Sequence, residues 1–298
     1  MNNKYLKFWL VLLAGCWFTF PAFASSNEAS PSPTRIVSIG SAVTDLVVAL
    51  GGASQLVAVD STSKVPPSAQ VKTLGYQRQL STEGILSVKP SVVIGSDEMG
   101  PPEVLHLLKQ AHIPLITLSS APTLSALKDN IAKIATLLGE PTRGDALIAK
   151  IDRQINTLAH KQNTQKHHDS TLFLLILGSG SPQVAGKGTV ANRMIELAGG
   201  ENPAAQTVNG YKPISQESLL EMQPNVLLVS QRILNNLGGV SGLIKHYPIL
   251  AATPAGQHGH IYGVDYHALI GGLSLTTLSE AQRLAPLLSP TSNKERAI

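Results

Sequence analysis

Tyr76 stands in Leu74-Gly75-Tyr76-Gln77-Arg78-Gln79-Leu80, a stretch with neither strand nor helix periodicity. Gly75 permits a tight turn that projects the phenol outward. Arg78, two residues on, favours the phenolate over the phenol by simple charge attraction. A phenolate is a hard oxygen donor suited to ferric iron, and tyrosine is one of the residues that ligate ferric haem. The plain alternative is a tyrosine that packs. Two acids mark a second kind of chemistry. Glu83 lies in Ser81-Thr82-Glu83-Gly84-Ile85-Leu86-Ser87-Val88-Lys89-Pro90, which runs into the apolar stretch from Ser91 to Gly95. Glu217 lies in Ser215-Gln216-Glu217-Ser218-Leu219-Leu220-Glu221-Met222-Gln223-Pro224, which runs into Asn225 to Val229. Each copy reads as a Ser cap, a short amphipathic helix, a Pro stop and a buried strand. Each Glu falls in the first helical turn, where the helix dipole favours an anion by a few tenths to about 1 kcal/mol.

Other motifs fail on spacing. From Gly180 to Gly186 is one residue too long for a phosphate loop, and Lys187 is followed by Gly188 rather than Ser or Thr. Gly178-Ser179-Gly180-Ser181-Pro182 is no nucleophile elbow and reads as a strand-end loop. His106, His112 and His160 have polar neighbours and read as solvated, and His167-His168 falls in a polar gap. His258-Gly259-His260 offers two imidazoles, although a turn entering a strand is its ordinary meaning. His267 follows a strand end in Asp265-Tyr266-His267, a place where ligand contacts gather.

The elements that must position these groups alternate. Strands are expected at Arg35–Gly40, Leu56–Asp60, Val92–Gly95 and Pro114–Leu118, with helices at Asp45–Leu50, which Ser41 and Thr44 precede or start, and at Pro101–Ala111. A long helical region runs from Leu124 to about Gln162, broken at Gly139-Glu140-Pro141. A second series follows: strand Leu172–Leu177, helix Val190–Ala198, the repeated unit, strand His260–Val264 and a final helix from about Thr277 to Leu288. Strand–helix alternation predicts α/β lobes with parallel sheets. The repeat predicts two similar lobes, at 35–140 and 170–289, joined by one helix at 141–162, with a ligand cleft between them. A single stiff helix predicts limited opening and closing.

Met1 to Lys7 is basic, Phe8 to Phe23 is mostly apolar, and Ala22-Phe23-Ala24 is a small-x-small cleavage site. Residues 1–24 therefore read as a secretory signal peptide, and 25–34 as a disordered leader. Leu13-Ala14-Gly15-Cys16 also matches a lipobox, which would make Cys16 a lipid anchor, but the apolar run continues beyond it. Cys16 is the one cysteine, so the mature chain forms no disulfide or thiolate site. Removing Lys4 and Lys7 leaves 21 of the 23 basic residues against 19 acids, and no basic cluster is interleaved with aromatics, so nucleic acid is not implied. The tail at 290–298 reads as disordered.

The Tyr76 segment, Gly95-Ser96-Asp97-Glu98-Met99-Gly100-Pro101-Pro102-Glu103-Val104-Leu105, Val184-Ala185-Gly186-Lys187-Gly188-Thr189, Met194 to Gly200 and Tyr211 to Glu217 together resemble the periplasmic haem-binding proteins of ABC transporters. The resemblance covers roughly residues 34 to 288. It implies two Rossmann-like lobes bridged by a helix, Tyr76 on ferric haem iron, and Glu83 and Glu217 docking on arginines of the two permease halves. It also implies a monomeric periplasmic carrier that serves an inner-membrane permease and its ATPase. Two places depart from the family. Many members have a His after the first strand of the second lobe, where this chain has Leu177-Gly178-Ser179-Gly180, so a second ligand from that lobe is not carried over. Many also have Gly-x-Gly-Pro-Arg before the last helix, where this chain has Gly271-Gly272-Leu273-Ser274-Leu275. Haem propionates would then look to Arg78, Lys72, Lys187 or Arg193, or to solvent, with Met99 and His267 as further ligand contacts. A ferric-siderophore or cobalamin carrier on the same fold is the near alternative. A periplasmic enzyme using His267 or the Gly178–Ser181 loop is the distant one.

Overall fold

The computed structural model describes residues 34–163, 168–177 and 181–288. The expected signal peptide, Cys16, the leader up to Pro33, His167, residues 178–180 and the tail lie outside them. The first sheet holds β1 (Ile36–Ile39), β2 (Leu56–Val59), β3 (Lys72–Thr73), β4 (Val92–Ser96) and β5 (Leu115–Leu118), in the order β3-β2-β1-β4-β5. All of its pairings are parallel. Its helices are α1 (Ser41–Ala49), α2 (Thr82–Leu86) and α3 (Pro102–Gln110). α4 (Leu124–Leu138) ends on Gly139 in the left-handed region, and α5 (Pro141–Asn163) follows. At 1.5 Å per residue, α5 spans roughly 34 Å.

The second sheet holds β6 (Thr171–Leu175), β7 (Gln183–Ala185), β8 (Tyr211–Pro213), β9 (Val226–Ser230) and β10 (Ile261–Val264), in the order β10-β9-β6-β7-β8. With it go α6 (Val190–Ala198), α7 (Gln216–Glu221), α8 (Gln231–Leu237), α9 (Gly239–His246), α10 (Pro254–His258) and α11 (Leu275–Leu284). This sheet is mixed, and here the expectation of parallel sheets is corrected. β6 pairs antiparallel with β7, and β7 antiparallel with β8. Residues 176–182 join β6 to β7 and are too few for the crossover a parallel partner needs.

The repeated unit folds as its sequence suggests, twice. Ser81 accepts from the Gly84 N–H and Ser215 from the Ser218 N–H. Ile85 and Leu219 are the buried residues of α2 and α7. The residue before each proline, Lys89 (φ 47°) and Gln223 (φ 41°), sits in the left-handed region. A non-glycine residue holds that conformation only where its surroundings impose it, so both copies are bent the same way into β4 and β9.

Each sheet has its own apolar layer, around Val37, Ile85 and Leu108 in the first and Leu172, Leu227 and Leu243 in the second. A third cluster is continuous across both. It joins Ile36, Leu46 and Val92 of the first to Phe173, Met194 and Val226 of the second, with Leu278 and Leu284 of α11. Opening the two sheets apart by a large angle would expose part of that shared core, at roughly 25 cal/mol per Å² of apolar surface.

Candidate functional site

In parallel α/β sheets, ligands bind beyond the carboxyl ends of the strands. Those ends of the first sheet face the second half of the chain. Lys64, after β2, pairs with Asp265, after β10, at 2.7 Å. The Thr276 N–H and hydroxyl, at the start of α11, both donate to Asp45 of α1 at 3.0 Å. Ser120, after β5, lies against Gly272. Burial raises the Asp45 carboxyl above its ordinary range, and the two Thr276 bonds act against that rise.

Tyr76 lies on the turn that leaves β3, at this same edge, and is 42% exposed although aromatic. The turn is tightly bonded. The Gln79 N–H donates to the Tyr76 carbonyl at 2.7 Å, the Leu80 N–H to Gly100, and the Gly100 N–H to Gln77. Gly75 is required by closeness, since a Cβ there would stand 2.9 Å from the Gln79 carbonyl oxygen. Gln77 turns inward, 1% exposed, and its Nε2 donates to Glu98 at 3.3 Å. Its Oε1 has no hydrogen-bond partner among the described residues. Met99 packs beneath the turn, its sulfur against Gly95 in the first apolar layer. Arg78 gives its guanidinium to Glu98 at 2.8 Å rather than to the phenol. Tyr211 of β8 shares this region: burial, with the Glu98 carboxylate adding to it, pushes its phenol up to about 12.

Under the turn lies a buried polar chain. Asp60, fully buried, accepts from the Gly40 and Thr62 N–H groups and from the Thr62 and Ser63 hydroxyls. Because Ser63 gives its proton to Asp60, Thr44 must donate to Ser63 and Ser38 to Thr44. The network pins Gly40 (φ 101°) at the start of α1, and a Cβ on Gly40 would stand 3.0 Å from Gln77 Oε1.

The other expected contacts are scattered. Lys72 reaches Ser87, at the far end of α2 from Glu83. Arg193 pairs with Glu196 at 2.8 Å, beside a hollow of about 460 Å³ lined by Gln162, His168 and Glu201. Lys187 is exposed, and its backbone is bonded to Val208 and Gly210. His267 is largely covered. Its Nδ1 bonds Asp265 at 2.7 Å and its ring lies 3.8 Å from that of Tyr266. Burial holds the imidazole below its ordinary 6.5, so at neutral pH it is a neutral hydrogen-bond donor. Burial pushes the Asp265 carboxyl up, but its bonds to Lys64 and His267 outweigh that and bring it down to about 2. Lys64 is therefore its cationic partner. Glu83 and Glu217 are exposed at the starts of α2 and α7. Its own N–H and the Ser215 hydroxyl hold the Glu217 carboxyl below the usual range. No group of three or more His, Cys, Asp or Glu among the described residues could hold a bare metal ion.

Sequence reasoning missed Glu98, Asp60 and Tyr211. The run Asp60-Ser61-Thr62-Ser63 directly after a strand is a turn signature for side-chain-to-backbone bonding and could have flagged Asp60. Nothing local marks the other two.

The chain and its fold have known counterparts. The periplasmic heme-binding protein HutB of Vibrio cholerae is 45% identical, with a TM-score of 0.82 over 87% of this chain and 100% of that one. A periplasmic heme-binding protein from Pseudomonas aeruginosa is 35% identical, with a TM-score of 0.81 over 87% of this chain and 94% of that one. Among curated relatives, the vitamin B12-binding protein of Pectobacterium atrosepticum is 26% identical over 226 residues, covering 74% of this chain and 80% of its own length. The family model described as periplasmic binding protein matches residues 36–268, and the chain belongs to that family.

Proposed function

We propose that this chain is a periplasmic carrier that binds haem at the carboxyl-end edge and delivers it to an inner-membrane ABC permease and its ATPase. Within it we take 35–140 and 170–289 as the two lobes, 141–162 as the connecting helix, and the shared core as the reason they move little. Residues 1–24 are taken as the export signal. The observation that carries the reading is Tyr76. It is a large aromatic held outward by a hydrogen-bonded turn, at the carboxyl-end edge where α/β sheets bind ligands, in a chain with 45% identity to a heme-binding protein. Haem is the cargo, and Tyr76 would supply an oxygen to its iron. The Arg78–Glu98 pair holds the turn and leaves the phenol free. The carrier function is not catalytic.

A hemin titration of the purified protein tests this. The wild type should give a saturable Soret shift and a phenolate-to-iron charge-transfer band. Tyr76→Ala should lose that band and bind at least tenfold more weakly. An unchanged spectrum in the variant removes Tyr76 from the iron. A wild type that ignores hemin but takes up cobalamin moves the cargo to that of the Pectobacterium relative.

Glu83 and Glu217 stand at the starts of topologically equivalent helices, β3-α2-β4 and β8-α7-β9, one acid per lobe. That pair suits a pseudo-twofold basic partner. Glu83→Ala with Glu217→Ala should keep hemin affinity within about twofold and cut uptake by at least tenfold. Uptake at the wild-type rate rejects the docking role.

A further inference from the structure

The carboxylates of a haem need cations, and the candidates named from the sequence are mostly engaged elsewhere: Arg78 with Glu98, Arg193 with Glu196 and Lys72 with Ser87. Arg232 is different. It is the second residue of α8, which begins directly after β9, so it stands at the carboxyl-end edge of the second sheet. Its guanidinium lies 5.2 Å from the centre of the Tyr266 ring, and it has no carboxylate partner among the described residues. Such stacking holds a planar cation in place without neutralising it.

The surroundings leave that charge uncompensated. One side is a groove of about 610 Å³ lined by Arg232, Asp265, Tyr266, Glu280 and Arg283. Its two acids are already answered, Asp265 by Lys64 and Glu280 by Arg283, each at 2.7 Å. Arg283 also gives a bond to the Gly263 carbonyl. The other side is a hollow of about 440 Å³ with an apolar wall of Ile176, Leu177, Ile233 and Leu237. Leu177 is 61% exposed there and extends that apolar wall. Arg232 lines both hollows, where an apolar surface ends and a charged one begins.

We infer that Arg232 is the second lobe's ligand-binding cation, pairing with a carboxylate of the cargo whose apolar body lies against Leu177 and Ile233. A guanidinium meets a carboxylate with two parallel hydrogen bonds, which fixes orientation as well as charge. The first lobe would hold the iron through Tyr76 and the second would hold the acid edge. This rests on the haem reading above.

The test compares hemin with hemin dimethyl ester, in the same cosolvent, on wild-type protein, Arg232→Met and Arg232→Lys. The expected result is a loss of at least tenfold for hemin in Arg232→Met, a change under threefold for the ester, and partial recovery for hemin in Arg232→Lys. Unchanged hemin affinity in Arg232→Met, or equal losses on acid and ester, overturns the assignment while leaving haem binding intact. Wild-type protein that binds neither compound brings down the haem reading itself, and the carboxylate assignment with it. Matching thermal unfolding of the three proteins shows that any loss is not a loss of fold.

Discussion

The two sheets carry their strands in the same spatial order, β3-β2-β1-β4-β5 and β8-β7-β6-β9-β10, yet the second strand of each runs in opposite senses. In the first, β1 reaches a parallel β2 through α1. In the second, β6 turns straight back into an antiparallel β7, and α6 comes after that strand. The consequence is chemical. The crossover places the start of a helix at the carboxyl-end edge, with Gly40 and its bonds to Asp60 below the Tyr76 turn. The hairpin places no helix there, and the edge of β6 carries Ile176 and Leu177 instead. The first sheet's carboxyl-end edge thus has a polar, hydrogen-bonded floor, and the second sheet's has apolar side chains beside Arg232.

The largest test of that contrast is stability. Asp60→Ala strands several buried donors at once, each worth about 1–3 kcal/mol, so a loss of about 3–5 kcal/mol is expected after partial rehydration. The second lobe's nearest counterpart is Asn202, which bonds the Ala185 carbonyl, Asn192 and the Ala204 N–H. That network is neutral, and Asn202→Ala should cost about 1–3 kcal/mol. Urea unfolding with unchanged m-values measures both. Equal losses would mean that the charged floor contributes no more than ordinary buried amides, and the contrast between lobes would fail.

A middle-sized effect concerns Tyr211, where the lobes meet. Its folded phenol sits at about 12, above the ordinary 10. Between those values the folded chain keeps a proton that the unfolded chain has lost. This share of stability is complete below pH 10 and disappears as pH rises through about 12. Absorbance titration near 295 nm should show one late-titrating tyrosine that Tyr211→Phe removes. Loss of a transition near pH 10 instead would show that the Tyr211 phenol is not shielded from water, and with it that Glu98 adds nothing.

Much of this was legible in the sequence because it was written twice. The repeat gave the caps at Ser81 and Ser215, the short amphipathic helices, the buried strands after them and the acid in each first turn, since local hydrogen bonding and periodicity determine all of them. The reversed β7 was not legible. Gln183–Ala185 and Tyr211–Pro213 are too short to show a period, and strand direction depends on the length of residues 176–182 rather than on their types. α1 starts at Ser41, the earlier of the two starting residues its sequence offers, where Gly40 is pinned by Asp60 just beyond β2. The site divides in the same way. Tyr76 is readable as an oddly placed aromatic, whereas the pairing of Glu98 with Tyr211, and separately of Arg232 with Tyr266, arises only from packing between residues distant in the sequence.

The smallest effect separates the two copies of the repeat themselves. Glu217 accepts from its own N–H and from the Ser215 hydroxyl, which hold its carboxyl below 4.5. A depressed carboxyl stabilises the fold above its unfolded value, here 4.5, and that contribution is lost as pH falls through the lower folded value. Ser215→Ala removes one of the two donors, so the midpoint should move up toward 4.5 without reaching it. Carboxyl-carbon NMR between pH 2 and 6, with Glu217→Gln for assignment, follows this directly. A midpoint that stays put would show that the backbone N–H alone holds the charge. The serine would then act only as the helix cap, through its bond to the Ser218 N–H, as Ser81 does through Gly84.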